Sequence, residues 1–181
     1  MKSTTQKYIF YRGDSDNIKL FDTSLPDGYS FSLWRPALNR ITPKGLFRRT
    51  FIFCWIFHIL RLFKSSNYSI FIIYYDQKIV HYSVVMPPFF KYPFMNKNDI
   101  QIGPIDTESD HRRKGLSSYT IGKIIDTYLQ LDTQFWYIVR DENEISKRVI
   151  EKYGFTAWGE GSNRKILSIP GTGIYKTEKH Y

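Results

Sequence analysis

Two short segments of the sequence combine residues that can hold phosphate with residues that begin helices. The first is Arg112-Arg113-Lys114-Gly115-Leu116-Ser117, set between an extended run and a helical one. At a helix N-terminus the backbone N–H groups lack intrahelical partners, and the helix dipole adds partial positive charge. A glycine there lets the main chain approach an anion closely, so such a loop can cradle phosphates. A basic loop that only caps a helix has the same composition, and the hexapeptide alone does not separate the two. The second segment opens at Asn143, thirty-one residues beyond Arg112, and runs through Ser146 to Glu151-Lys152-Tyr153-Gly154-Phe155. Asn143 stands at a helix start and Gly154 at the helix stop. For proton transfer the candidates in extended runs are His81, Asp106 and Asp99, taken in that order. An imidazole, with its ordinary pKa of ~6.5, is the best suited of these to accept a proton near neutrality.

Together the two segments resemble the signatures of the GNAT superfamily, the Gcn5-related N-acetyltransferases. The first resembles that family's pyrophosphate loop, Arg/Gln-x-x-Gly-x-Gly/Ala. The second resembles its Asn-led segment, with a small residue three positions on and a helix closing in Glu-Lys-x-Gly-Phe. Order and spacing agree as well, and the resemblance covers about residues 68–169 of a single domain spanning 1–181. It implies an α/β protein with the GNAT fold, a central, mostly antiparallel sheet splayed between its fourth and fifth strands and flanked by helices. It implies acetyl-CoA as donor and no metal. Arg112 opens the pyrophosphate loop, and the main-chain amides of Arg113, Lys114, Gly115, Leu116, Ser117 and Ser118 are the implied pyrophosphate ligands. Ile105, Asp106 and Thr107 would pair with the pantetheine arm, which Asn143 and Ser146 would meet from the opposite side.

Three positions depart from the family pattern. Ser117 replaces Gly or Ala but is small. Many family members carry a tyrosine seven residues after the Asn, as acid for the departing thiolate; here that residue is Ile150, which cannot donate a proton. Gln101 stands where some histone-acetylating relatives have a glutamate. The implied reaction is direct attack of an amine on the thioester, with a fourth-strand backbone N–H as donor to the oxyanion.

A softer resemblance concerns the acceptor. His81-Tyr82-Ser83, Pro93-Phe94-Met95 and the stretch from Asp99 to Pro104 are similar to GNAT proteins of bacterial surface-polysaccharide loci. That implies the amine of an amino sugar, nucleotide-linked, with aromatic side chains to stack on a ring. Protein or peptide N-acetylation is the alternative, and a non-catalytic, membrane-associated CoA-binding partner protein is a third reading.

The elements that must position these residues are legible in outline. Extended runs are expected at 7–12, 68–75, 78–85, 99–107, 135–140 and 165–169, with helices at 116–131 and 143–153. Asp76-Gln77 suggests a hairpin, and Gly103-Pro104 a bulge within the fourth strand. Residues 25–43, punctuated by Pro26, Gly28, Pro36 and Pro43, read as loop with one short helix at most, and the tail after Pro170 as polar. Residues 50–60 carry no formal charge and lie between Arg48, Arg49, Arg61 and Lys64. The run is short of the about 20 residues needed to span a bilayer. A helix in the core or at a homodimer interface is expected of 46–64 in preference to contact with a membrane surface.

The formal charge of +9 favours anionic partners. No recognition motif points to nucleic acid. Cys54 is the only cysteine, so no internal disulfide can form, and the N-terminal residues 1–17 lack an apolar signal core. A cytoplasmic location follows as the expectation, with peripheral contact at the inner face of the membrane as its variant.

Overall fold

The structure is a computed structural model that describes residues 6–164 and 173–180. One sheet organises it, with strands in the order β2-β3-β4-β5-β6-β1-β7-β8. The strands are β1 (Lys7–Asp14), β2 (Tyr29–Trp34), β3 (Ser69–Tyr75), β4 (Lys78–Met86), β5 (Ile100–Thr107), β6 (Gln134–Arg140), β7 (Thr156–Arg164) and β8 (Ile174–His180). The helices are α1 (Arg49–Ile59), α2 (Leu116–Tyr128) and α3 (Glu144–Lys152). Every neighbouring pair is antiparallel except β5 and β6.

Period-two alternation divides the side chains between two layers. On one face Tyr11, Ile102, Phe135 and Tyr137 pack with Ile121, Ile124 and Ile125 of α2 and Ile150 of α3. On the other, Tyr68, Tyr82, Met86 and Trp136 pack with Phe51 and Cys54 of α1 and with Phe89, Tyr92 and Met95 of the 87–99 loop. The hairpin from β3 to β4 turns at Asp76 and Gln77, both at positive φ (48° and 60°), which matches the right-handed strand twist without an Asn-Gly pair. Gly154 follows α3 at φ 85° and ends it.

Several expectations fail on long-range grounds. Residues 25–43 contain β2, an edge strand in register with β3 from Tyr29↔Tyr75 to Trp34↔Ile70. Its alternating Tyr-Ser-Phe-Ser-Leu-Trp is a strand pattern hidden among turn residues. β7 occupies a segment to which no element was assigned from the sequence and β8 part of the tail read as polar, while the strand expected at 165–169 lies outside the described residues. Gly159 and Gly161 interrupt the side-chain alternation of β7. At Gly161 a Cβ would stand within bonding distance of the Lys176 carbonyl, so the close approach of β8 requires that glycine. α1 is not an interior helix. Phe51 and Cys54 are buried, but Phe53 on the opposite side is 50% exposed, and Leu60 just beyond the helix 63%.

Candidate active site

β5 and β6 run side by side for three residue pairs, from Ile100↔Phe135 to Ile102↔Tyr137, and then part. At the parting point β5 carries Gly103-Pro104, opposite a register shift in β4 between Ser83 and Val85. Proline supplies no ladder N–H, so β5 bulges there against β4, and beyond Ile102 it has no further paired residue in β6. The divergence opens a cleft of about 1030 Å³. Ile105, Asp106 and Thr107 form one wall, with Arg112, Arg113, Gly115, Leu116, Ser117 and Ser118 at one end and Asn143 and Ser146 opposite. Of the residues singled out from the sequence for binding, only Lys114 does not line it.

The loop end is built for an anion. Arg113 and Gly115 take left-handed φ values of 61° and 77° on either side of Lys114. Such alternation of hand turns successive N–H groups into one concavity. No side chain caps α2 and its first turn holds no acidic residue, so the leading N–H groups remain available. No heavy atom lies within 4 Å of where a Gly115 Cβ would stand. Arg112 Nε donates to the Thr107 carbonyl (3.1 Å), tying the loop to β5. Lys114 instead turns away, donating to the Tyr29 hydroxyl at 3.0 Å, which itself lies 2.7 Å from His111 Nδ1. β2, unread in the sequence, thus anchors the loop.

Along the wall the backbone faces the cleft at alternate residues. Glu108 N–H donates to Val80 of β4. In an antiparallel ladder these directions alternate, which leaves the Ile105 and Thr107 amides pointing away from β4 and into the cleft. Across it, Asn143 Oδ1 accepts from the Ser146 N–H at 3.1 Å and caps α3.

The three candidate bases separate. His81 does not reach the cleft. It is 1% exposed, with Nδ1 2.7 Å from Thr107 Oγ1, and Nε2 2.9 Å from Thr120 Oγ1 and 3.0 Å from Ser83 Oγ. Its ring is a buried junction of β4, β5 and α2, too enclosed to meet an amine, and burial depresses its pKa to about 4. Asp99 is also buried, accepting from Trp136 Nε1 (2.8 Å) and the Asn96 N–H (2.9 Å); it fastens the 87–99 loop to β6. Asp106 alone lines the cleft. It pairs with Tyr82 across the ladder, so its carboxylate lies on the α1 side of the sheet, where Arg48 reaches it at 3.2 Å. Ile150 is wholly buried, and Tyr153 does not replace the missing tyrosine, since its hydroxyl donates to the Ser118 carbonyl at 2.6 Å.

The burial of His81 has a measurable consequence. In the unfolded chain its imidazole titrates near ~6.5. Between that value and about 4 the unfolded state binds a proton that the folded state refuses, so stability is lost as pH falls through this window. The full loss is about 3 kcal/mol. Thermal melts between pH 7 and 4 should fall more steeply for the wild type than for His81→Gln; equal slopes would exclude the buried neutral imidazole.

The far end of the cleft contains residues the sequence reading missed: Tyr8, Lys91, Arg140 and Tyr175, beside Tyr92. Tyr92 and Tyr175 stack at 5.7 Å with planes 10° apart, and Lys91 Nζ lies 5.7 and 5.6 Å from their ring centroids. Burial lowers the Lys91 pKa and raises that of Tyr175 to about 12. These residues come from a loop, β1, β6 and β8, and no local pattern joins them. Among the described residues no group of three or more His, Cys, Asp or Glu is placed to hold a metal ion.

Residues 32–155 match the acetyltransferase (GNAT) family. The chain belongs to that family. No curated protein matches it. Among solved structures it is similar to a tandem GNAT protein from the clavulanic acid biosynthesis pathway, with TM-score 0.61 and 12% identity over 98% of this chain and 54% of that one. It is also similar to a GCN5-related N-acetyltransferase from Sphaerobacter thermophilus (TM-score 0.59, 12% identity, 86% of this chain and 50% of that one). A GNAT-family acetyltransferase from Colwellia psychrerythraea matches with TM-score 0.52 and 12% identity, over 98% of this chain and 57% of that one. The chain thus spans about half the length of these structures. The splayed sheet is therefore the GNAT sheet, with β1 lying between β6 and β7.

Proposed function

We propose that this GNAT chain is an acetyl-CoA-dependent N-acyltransferase acting on the amine of a diphosphate-bearing amino sugar, nucleotide-linked and destined for a surface polysaccharide. The observation that carries the reading is an uncapped helix N-terminus opening onto the gap between two diverging strands. Bound acetyl-CoA supplies an activated acetyl thioester. The amides of 113–118 hold its pyrophosphate, and the cleft-facing Ile105 and Thr107 amides and the Asn143–Ser146 turn hold the pantetheine arm. An amide on β5 serves as the oxyanion donor, fixed in place by the sheet before substrate arrives. Asp106 takes the proton that the amine gives up as its nitrogen bonds to the acetyl carbon, while the carbon–sulfur bond breaks and the CoA thiolate leaves, to be protonated by water.

The acceptor end favours an anionic molecule with a ring. Lys91 and Arg140 line it, and Tyr8, Tyr92 and Tyr175 offer ring faces for a base or sugar. Asp106 is the only acidic residue on the cleft wall among the described residues, a poor match for a lysine-rich peptide. Acetyl-CoA at a hundredfold excess over its Kd should stabilise the protein by about 2.7 kcal/mol, read as a thermal shift. Thiol release should then follow with amino-sugar nucleotides and not with lysine peptides. Stabilisation without turnover on any amine would remove the catalytic reading, and faster turnover of a peptide would replace the acceptor.

A further inference from the structure

The outer side of α1 and the loops beside it form a surface that acetyl transfer does not use. At helical spacing Arg49, Phe53 and Ile56, followed by Leu60, lie on one side, opposite buried Phe51 and Cys54. Around this stripe Phe47 is 71% exposed, Leu62 54% and Phe90 49%. Large apolar side chains gathered on one exposed face mark an interaction site.

The charge of the chain segment that carries the face is one-sided. From Gly28 to Tyr75 the chain has no Asp or Glu, while Arg35, Arg40, Lys44, Arg48, Arg49, Arg61 and Lys64 all fall within it. These seven make up most of the formal excess of +9. Arg48 is ion-paired with Asp106, at the edge of the cleft. A second copy of this chain would bring the same positive charge against itself, so an isologous contact is electrostatically opposed. An anionic bilayer meets both halves of the pattern. Aromatic and leucine side chains enter the headgroup boundary, and arginine and lysine meet the lipid phosphates. No described helix is long and apolar enough to cross a membrane, so the contact is one of lying on the surface.

We infer that the chain docks on an anionic lipid bilayer through the α1 face, with Phe47, Phe53, Leu60, Leu62 and Phe90 entering the interface inside a rim of basic side chains. The face adjoins the acceptor end of the cleft. An apolar hollow of about 140 Å³ under α1 is lined by Phe53 and Phe90 and also by Lys91, Tyr92 and Pro104, which line the cleft as well. Docking therefore brings the acceptor end close to the bilayer, and it does not depend on the chemistry proposed for the cleft.

Co-sedimentation of the whole chain with vesicles tests the assignment. Vesicles of phosphatidylcholine with phosphatidylglycerol should pull the protein down at low salt, and vesicles of phosphatidylcholine alone should not. High salt should release it. Arg49→Gln and Arg61→Gln should each weaken binding about fivefold, and Phe53→Ser with Leu60→Ser should abolish it. Melting temperatures of the variants without ligand establish that they are folded. Absence of sedimentation, or equal sedimentation with neutral vesicles, would overturn the docking. So would self-association that Phe53→Ser with Leu60→Ser abolishes in a protein that ignores vesicles, which would make the face a contact between copies.

Discussion

Replacing Gly115 by aspartate is expected to abolish the stabilisation of the protein by acetyl-CoA. Gly115 stands at the N-cap of α2 with φ 77°, and the space above it is open. A carboxylate there occupies the position to which the leading amides of α2 point and presents negative charge where the pyrophosphate is proposed to lie. The substitution leaves the fold intact, because no neighbour is struck and Asp is among the residues that enter the left-handed region, at a cost of about 1–2 kcal/mol. Gly115→Asn separates charge from shape: it tolerates the same φ, adds nearly the same volume and carries no charge. With saturating acetyl-CoA the wild type should gain roughly 5–10 °C in melting temperature. Gly115→Asp should gain nothing, and Gly115→Asn should keep part of the gain. A wild-type shift in Gly115→Asp would show that the cofactor is held elsewhere.

The loop and the Asn143 turn could be read because their information is local. Each needs only a few neighbours in sequence to set a helix start, a glycine at positive φ and an exposed row of amides. The far end of the cleft could not, since Tyr8, Lys91, Arg140 and Tyr175 meet only when β1 enters the sheet between β6 and β7. His81 misled for a related reason. β4 is buried on both faces along most of its length, so alternation gave no sign of which layer its imidazole joins. The helix of the uncharged run was legible, but its burial was not. With no polar stripe in residues 50–60, periodicity cannot distinguish the covered side from the open one, and only the packing of Phe51 and Cys54 against Tyr82 and its neighbours decides it.

Removing the Asp106 carboxylate is expected to lower kcat/KM by about 10²–10³ at neutral pH. Of the three acids and bases considered, Asp106 alone stands on the cleft, beside the Ile105 and Thr107 amides. Its side chain emerges on the α1 side of the sheet, the side from which the 87–99 loop brings Lys91 and Tyr92. An amine approaching from that end meets the carboxylate on the same side. Asp106→Ala should not be confused with unfolding. The partners of Asp106 are Arg48 and the Tyr82 hydroxyl; the ion pair is about half exposed on both sides and contributes at most about 1 kcal/mol, and a hydrogen bond of this kind about 1 kcal/mol. Nor should it alter acetyl-CoA binding, because the contacts assigned to β5 come from its backbone. The loss should shrink as pH rises, since an amine that is already deprotonated in solution needs less help from a base. A pH profile of kcat/KM for Asp106→Ala and wild type therefore distinguishes a base from a residue that merely shapes the cleft, whose removal would lower the rate equally at every pH. A loss under threefold, or one that does not depend on pH, would leave the amine proton to water in the cleft and strike Asp106 from the mechanism.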